Sequence, residues 1–422
     1  MSKITFADVV HYSISFSKEI PAQALLLELI DTPWVQRLRD ISQTANTRLV
    51  YMFSEHSRFG HSLGVAHLAE LVMQSLEKSS ADAVSEYRLA VAAAALLHDL
   101  GHIAPGSHTA YKTWFPDGDD QHEEISCRII KNDIGLNEIF KRYDQKLPDK
   151  IVSVLSEDAK APAWTRELIS GGGWNADRGN WCVVDSIMAG TSYGKYNIPA
   201  LTDALVITPD GHLALRENRL DAMMHFAMSR HAMYRQIYQH RVLLAADMLN
   251  KAIAKRARMI STKLNFCDDT MQHVLSACSA ADLSLEDIFN MREAWWRYHL
   301  MHWAESDDNI LADLASRLLN RNLFKTVRVR EDDNRDELIK ETEHVVKSAG
   351  FDPEYYLHVV SNSNVNQSDY ENSMLVMLDD GRVLSLSQAE PLFESLVAEA
   401  EHTTREWLVV PAEAKKLLGR ER

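Results

Sequence analysis

Apolar positions recur along most of this chain with the period of an amphipathic helix. From the early twenties to Asp40, Ile30, Trp34, Val35 and Leu38 fall at helical spacing, with Pro33 in an early turn. Over His61–Glu77, Val65, Leu68, Ala69, Val72 and Leu76 make one stripe that His61 extends at its N-terminal end. Tyr87–Leu100 is rich in Ala and Leu and stops at Gly101. A loop with Pro105, Gly106, Pro116 and Gly118 follows, and a helix resumes over Glu123–Lys131. Ser170-Gly-Gly-Gly-Trp174 reads as a flexible joint, and Asn175–Met188 as a helix despite Gly179. Leu205–Leu215 reads as a hairpin turning at Pro209-Asp210-Gly211. Arg219–Lys255 reads as one long helix with Arg230, Tyr234 and Tyr238 four apart, and helical texture continues to about Asn322.

The texture changes at Leu323. Phe324–Val329 and Tyr355–Val360 read as strands with a helix over Asp332–Ala349 between them. Ser373–Leu378 and Arg382–Leu386 form a hairpin around Asp379-Asp-Gly381. The expected fold is therefore mainly α. A helical body covers 1–322, its core motifs lie in 30–245, and a small C-terminal α+β appendage covers 323–422. No internal repeat or low-complexity tract interrupts it.

Composition narrows the function classes. The chain has 422 residues, 46% hydrophobic and 25% charged, the balance of a globular protein. Its formal charge of −15 argues against a broad basic face for nucleic acid. The apolar run Leu89–Leu97 is broken by His98 and Asp99, far short of the roughly 20 residues a bilayer span needs. Met1–Val10 lacks a basic stretch followed by an apolar one. Cys127, Cys182, Cys267 and Cys278 form no Cys-x-x-Cys pair, so they read as reduced thiols of a cytoplasmic protein rather than zinc ligands. The Gly-rich phosphate cradles are absent. Histidine is the outlier: seven of the 18 lie between His56 and His122.

The central chemical signal is His61, then His98-Asp99, then an acid farther on. An adjacent His and Asp on one turn offer an imidazole nitrogen and a carboxylate oxygen to one divalent metal, and a ligand from the preceding helix would hold it firmly. Such mixed sets suit Mn, Fe, Ni, Co, Zn or Mg. The bland alternative for each is a surface or capping residue.

The wider context resembles the HD-domain phosphohydrolase superfamily, and within it the branch of deoxynucleoside triphosphate triphosphohydrolases that includes the bacterial dGTPases and the SAM-and-HD-domain enzyme. The carrying segments are Ile30-Asp-Thr-Pro-Trp-Val-Gln-Arg-Leu-Arg39, Arg58-Phe-Gly-His-Ser-Leu-Gly-Val65, His98-Asp-Leu-Gly-His102 and His122-Glu123. They continue with Ala176-Asp177 through Asp185-Ser186, Arg230 through Tyr238-Gln-His240, and Leu319-Asn-Arg-Asn-Leu-Phe-Lys325. The resemblance implies His61, His98, Asp99 and Asp177 as metal ligands, although Asp177 also suits a helix N-terminus. It implies His122 as the catalytic histidine, with Glu123 and His102 beside it. Arg58, Arg178, Arg230 and His108 would meet the phosphates, Gln43 and Asp185 the sugar, and Tyr238 the wall that excludes a ribose 2′-hydroxyl. Tyr234 shares that face, whose plain reading is an ordinary core edge. Asp31, Gln36 and Arg39 match a regulatory nucleotide pocket at an oligomer interface in some members, so a homo-oligomer is expected; a capped amphipathic helix is the equal alternative. His56 and His67 are assigned no role.

Two departures stand out. The loop Ile103-Ala-Pro-Gly-Ser-His108 is one residue longer than in the family, and Tyr111 stands where an acid normally pairs with the catalytic histidine. Asp117, Asp119 or Asp120 is left to substitute. Trp181 stands where a tyrosine is common. The expected function is a metal-dependent dNTP triphosphohydrolase releasing deoxynucleoside and tripolyphosphate. The alternatives are a nucleotidase or phosphodiesterase on another nucleotide or nucleic-acid end, and a catalytically weak nucleotide-binding sensor.

Overall fold

The computed structural model describes residues 2–106, 109–115, 118, 120–156, 160–361, 374–402 and 405–419. Most of these are helical, and the organising element is Arg58–Leu97, which ends where His98 begins. Its apolar stripe is buried along Val65, Leu68, Ala69, Val72 and Leu76, and Ala90–Leu97 is sealed on every side. That all-round burial explains a run of small residues: neighbours pack closely against a helix without large side chains. Ser80 (φ −143°, ψ 46°) interrupts the helix. The segments His61–Glu77 and Tyr87–Leu100, read separately from their apolar pattern, fall on either side of it.

Helices Ala176–Met188, Leu147–Leu155 and Pro21–Ile30 pack against this organising helix. Asn175 caps Ala176–Met188 by accepting from Arg178 N–H. Where one helix was expected over Arg219–Lys255, there are two. Leu220–Met233 runs into a π turn at Tyr234–Tyr238, and Arg241–Met259 starts afresh after His240, which takes extended backbone. The break has a local cause: the His240 ring accepts from Val242 N–H, supplying the new helix with its cap. An uninterrupted periodicity cannot reveal such a turn, and π turns concentrate at functional sites.

The strands are few. An N-terminal hairpin, β1 (Lys3–Asp8) and β2 (Tyr12–Ser17), was not anticipated; Asp8 Oδ1 accepts from Val10 N–H and His11 N–H at its turn. The predicted hairpin at Leu205–Leu215 forms as β3 (Leu205–Ile207) and β4 (Leu213–Arg216), with Gly211 at φ +84°. The α+β region contributes β5 (Lys325–Val329), β6 (His358–Ser361), β7 (Leu375–Met377), β8 (Val383–Ser385) and β9 (Glu406–Val410). Tyr355 and Tyr356, expected in a strand, close the short helix Pro353–Tyr356 instead, because Asp352 caps it and Pro353 opens it. Sheet order β5-β9-β6 is antiparallel, whereas in β3-β4-β7-β8 strand β7 runs parallel to β4. The C-terminal region thus shares a sheet with the helical body, and Val376, Leu408 and Val409 belong to the same apolar core. No helix among the described residues is long and apolar enough to cross a membrane.

Candidate active site

Four predicted ligands converge from three separate places in the sequence. His61 enters from the first turn of Arg58–Leu97, His98 and Asp99 from the turn that ends it, and Asp177 from the first turn of Ala176–Met188. His61 Nε2 lies 2.9 Å from Asp177 Oδ1 and 3.7 Å from Asp99 Oδ2, while His98 Nε2 lies 3.3 Å from Asp99 Oδ1. Both imidazoles are held by their other nitrogen. His61 Nδ1 donates to Asn180 Oδ1 at 2.9 Å, and His98 Nδ1 to the Ala95 carbonyl at 3.0 Å. That fixes the tautomer and aims each Nε2 lone pair at the cluster. Each Nε2 is buried without a hydrogen bond of its own. Two orphaned imidazole nitrogens beside two carboxylates fit a divalent cation, and the donor atoms of His61, His98 and Asp177 lie within 4.8 Å of one another.

Close backbone approach makes this geometry attainable. A Cβ on Gly64 would stand 2.1 Å from Asn180 Nδ2, so only glycine lets Ala176–Met188 come near enough for Asn180 to reach His61. A Cβ on Gly101 would stand 2.1 Å from the His122 carbonyl oxygen. Ser126 completes that junction: its hydroxyl donates to the His98 carbonyl at 2.7 Å and accepts from Gly101 N–H at 2.8 Å. Arg37 is wholly buried below. It donates to the carbonyls of Leu100 and His102, and to Ile288, Phe289 and Met291, which pins the loop after His98-Asp99. Burial depresses its guanidinium to about 9.

The charges are arranged to keep Asp99 ionised. Burial works against this, but Arg58, 2.7 Å from Oδ2, with His98 and His102 holds Asp99 well below the usual carboxylate range. Burial likewise opposes the charge on His98, yet Asp99 and Asp177 push it up to about 9; a metal ion at Nε2 would displace the proton those carboxylates hold there. His102 goes the other way: burial, Arg58 and His122 hold it far below the ordinary value, so it is neutral. Its ring stacks on His122, centroids 4.1 Å apart.

Asp120 is the partner of His122, its Oδ1 lying 2.9 Å from Nδ1. Asp117 and Asp119 lie outside the described residues, as does His108. Tyr111, at the position of the family's acid, donates instead to the Gly101 carbonyl at 2.6 Å and so braces the loop.

Two cavities adjoin here, and one of them opens on the cluster. The metal-side cleft, about 50 Å³, is lined by His98, Asp99, Asp177, His122 and Glu123 together with Gln43, Arg58 and Trp181. Those last three also line a second cavity of about 190 Å³, which continues to Asp185, Tyr234 and Tyr238. Tyr238 donates to Asp185 Oδ2 at 2.5 Å, and Trp181 meets the rings of Tyr234 and Tyr238 edge-on at 5.9 and 5.5 Å. His56, assigned no role from sequence, holds the other Asp185 oxygen at 2.7 Å. His67 does lie apart, packed against His11.

Not every predicted contact reaches these cavities. Arg178 lines neither; its guanidinium donates to the Gly171 and Gly173 carbonyls. Arg230 is buried behind the wall, over the Tyr234 ring at 4.8 Å. Gln36 donates to the Ile30 carbonyl and accepts from Arg39 Nε, Arg39 covers Phe59, and Asp31 is exposed after the helix Pro21–Ile30. Asn180, Ser126 and Arg37 were assigned no role from sequence, because each acts through a backbone or ring partner distant along the chain.

Residues 58–157 match the family model of the HD domain. That stretch of the chain is an HD domain. It is 29% identical over 400 residues to the uncharacterized protein YwfO of Bacillus subtilis, covering 93% of this chain and 88% of that one. It is 26% identical over 287 residues to the deoxynucleoside triphosphate triphosphohydrolase SAMHD1 of Mus musculus, covering 58% of this chain and 42% of that protein. The fold is shared over nearly the whole length with a solved structure: a phosphohydrolase from Bacteroides thetaiotaomicron superposes with a TM-score of 0.81 at 22% identity, covering 97% of this chain and 99% of that one. Family and donor set together make this HD domain a hydrolase of the metal-dependent kind.

Proposed function

We propose that this HD-domain protein is a metal-dependent dNTP triphosphohydrolase. The reading rests on two adjoining cavities that share Gln43, Arg58 and Trp181: one is lined by His98, Asp99 and Asp177 of the metal cluster, and the other reaches Asp185, Tyr234 and Tyr238. A divalent cation bound there supplies Lewis acidity toward phosphate oxygens and a lowered pKa for water. The protein's own groups supply the rest. Arg58 faces both cavities and offers positive charge in a protein that is net acidic. A water oxygen attacks the α-phosphorus, the bond from phosphorus to the sugar O5′ breaks, and the water oxygen stays on the tripolyphosphate. His122, steadied through Nδ1 by Asp120, gives the proton that the departing O5′ needs. Asp120 offsets the burial that disfavours the His122 charge, and His122 is accordingly raised above its ordinary value. The Tyr238–Asp185 pair is already satisfied, so a ribose 2′-hydroxyl would have to displace it, which favours deoxynucleotides.

Purified protein with Mn²⁺ and each dNTP, singly and mixed, is expected to release tripolyphosphate; pyrophosphate or orthophosphate alone contradicts the reading. Mixtures also test a regulatory nucleotide at Asp31, Gln36 and Arg39: faster hydrolysis of one dNTP in the presence of another is the expected sign. A second donor set, Asp99, His102 and His122, favours one rival, a two-metal nucleotidase or phosphodiesterase. Two ions per chain with orthophosphate released from nucleoside monophosphates would select it.

A further inference from the structure

Behind the metal cluster, one carboxylate that the proposed hydrolysis does not use joins two segments of the site. Glu293 opens the helix Glu293–Trp303. An acid in a first turn has a plain reading, since the positive end of the helix dipole favours it. Here, however, backbone from elsewhere occupies the carboxylate. Gly106 N–H donates to Oε1 at 2.6 Å, and Ser42 N–H donates to the same carboxylate. Gly106 lies on the loop that follows His102, and Ser42 stands next to Gln43, which lines both cavities. The contact is close: a Cβ on Gly106 would stand 2.4 Å from the Ser42 carbonyl oxygen and 3.0 Å from Glu293 Oε1. Burial pushes the Glu293 carboxyl above its ordinary value; Gly106 N–H, Arg48 and Ser42 N–H pull it back, and Asp40 opposes them. A carboxylate withdrawn from water is costly unless such donors hold it.

Each arm leads to a different part of the site. The loop arm is fixed at its start by Arg37 at the His102 carbonyl and by Ala104 N–H, which donates to the Met291 carbonyl at 3.0 Å. His102 in turn stacks on His122. The other arm, residues 41–43, runs against residues 56–58. Gln43 N–H donates to the His56 carbonyl at 3.0 Å, and Arg58 N–H to the Ile41 carbonyl at 2.9 Å. Arg58 holds Asp99. We propose that Glu293 is a positioning residue for the hydrolysis: by accepting a backbone hydrogen bond from each arm, it sets the spacing between the His102–His122 pair and the wall formed by Gln43 and Arg58. The inference rests on the dNTP hydrolase reading above. Glu293 lines neither of the two cavities, so its effect passes through the backbone it joins. A misplacement of about 1 Å at reacting groups can cost on the order of 10²-fold in rate. The metal ligands His61 and His98 are held by other contacts, at Asn180 and the Ala95 carbonyl, so metal affinity is not expected to follow.

Three variants separate reach from charge. Glu293→Ala removes the carboxylate. Glu293→Asp keeps the charge but withdraws it by one methylene. Glu293→Gln removes the charge and keeps an accepting oxygen at full reach. Two readouts are taken on Mn²⁺-loaded full-length protein: amide hydrogen exchange in the peptides that contain Gly106 and Ser42, and tripolyphosphate release from each dNTP. Exchange is expected to quicken in both peptides together in Glu293→Ala and Glu293→Asp, and to stay near wild type in Glu293→Gln. In the first two variants kcat should fall about 10- to 100-fold while KM and Mn²⁺ affinity stay within about threefold, and Glu293→Gln should lose less than either. Glu293→Asp carries the test if Glu293→Ala does not fold. A Glu293→Asp protein indistinguishable from wild type overturns the proposal, as does a raised KM or weakened Mn²⁺ binding with kcat unchanged. Tripolyphosphate released by wild type and equally fast by a folded Glu293→Ala protein overturns the positioning role and leaves the hydrolase reading standing. Exchange that quickens in both peptides, with no tripolyphosphate from any dNTP in wild type, overturns the hydrolase reading and leaves the joint between the arms.

Discussion

The two adjoining cavities are built on different principles. At the metal end three of the four donors have a second contact that fixes them: Asn180 behind His61, the Ala95 carbonyl behind His98, Arg58 against Asp99. The backbone beneath is pinned by Ser126 and the buried Arg37. At the far end the restraint is uneven: Asp185 is held by both His56 and Tyr238, Asp247 by one hydrogen bond, and Gln43 Oε1 and Thr44 Oγ1 by none. A site that must hold a cation at one geometry is preorganised before ligand arrives, whereas a cavity that receives the rest of a substrate keeps unspent hydrogen-bonding capacity for it. Changes at the first end should therefore abolish the reaction, and changes at the second should alter mainly how tightly substrate is bound.

The largest break is expected from Asp99→Ala. It removes a carboxylate from the cluster and leaves Arg58 without its partner, so Mn²⁺ binding measured by calorimetry should be lost and hydrolysis should fall on the order of 10³-fold. Helical circular dichroism should stay as in wild type, and full activity in the variant would remove Asp99 from the ligand set. Next comes His122→Ala, with a predicted loss of roughly 10²–10⁴-fold in turnover and little change in nucleotide binding. Asp120→Asn should lower turnover less than His122→Ala, since it loosens the ring without removing it. Equal losses would mean that Asp120 does more than position.

Smaller again is Asn180→Ala, which frees the His61 ring to turn. Metal affinity should fall roughly 10–100-fold, and saturating Mn²⁺ should restore most of the rate. A rate that excess Mn²⁺ cannot restore would contradict a purely orienting role. The smallest effect is on stability. Burial raises Asp247 from an ordinary 3.8 to about 6, so the folded chain keeps a proton that the unfolded chain has released. Stability should therefore fall as pH rises from about 4 to 6, and Asp247→Asn should flatten that slope in Tm. Identical Tm-against-pH curves for the two proteins would remove the buried carboxylate as its source.

The same contrast governs what the sequence reveals. The metal end is legible because its donors lie in short motifs: His61 one turn into a helix, and His98-Asp99 at a helix end before glycine. Tertiary structure brings these segments together, but the motifs already mark them. Asp120 needed the fold, since three carboxylates lie within four positions of the sequence and its 2.9 Å contact with His122 is a matter of three-dimensional placement. His56 and Asp247 carry no local pattern. Their roles come from Asp185, 129 residues from His56, and from Asn46, 201 residues from Asp247. The π turn at Tyr234–Tyr238 escaped for another reason, because a helical stripe stays in phase across one widened turn. The parallel pairing of β7 with β4 is likewise invisible to periodicity, which finds strands but not their neighbours.

Hydrolysis in water enriched in ¹⁸O tests the central claim most directly. With Mn²⁺-loaded protein and a dNTP, the account predicts one ¹⁸O atom in tripolyphosphate and none in the deoxynucleoside. Label in the deoxynucleoside 5′-hydroxyl, or in pyrophosphate or orthophosphate with no tripolyphosphate formed, would contradict attack at the α-phosphorus.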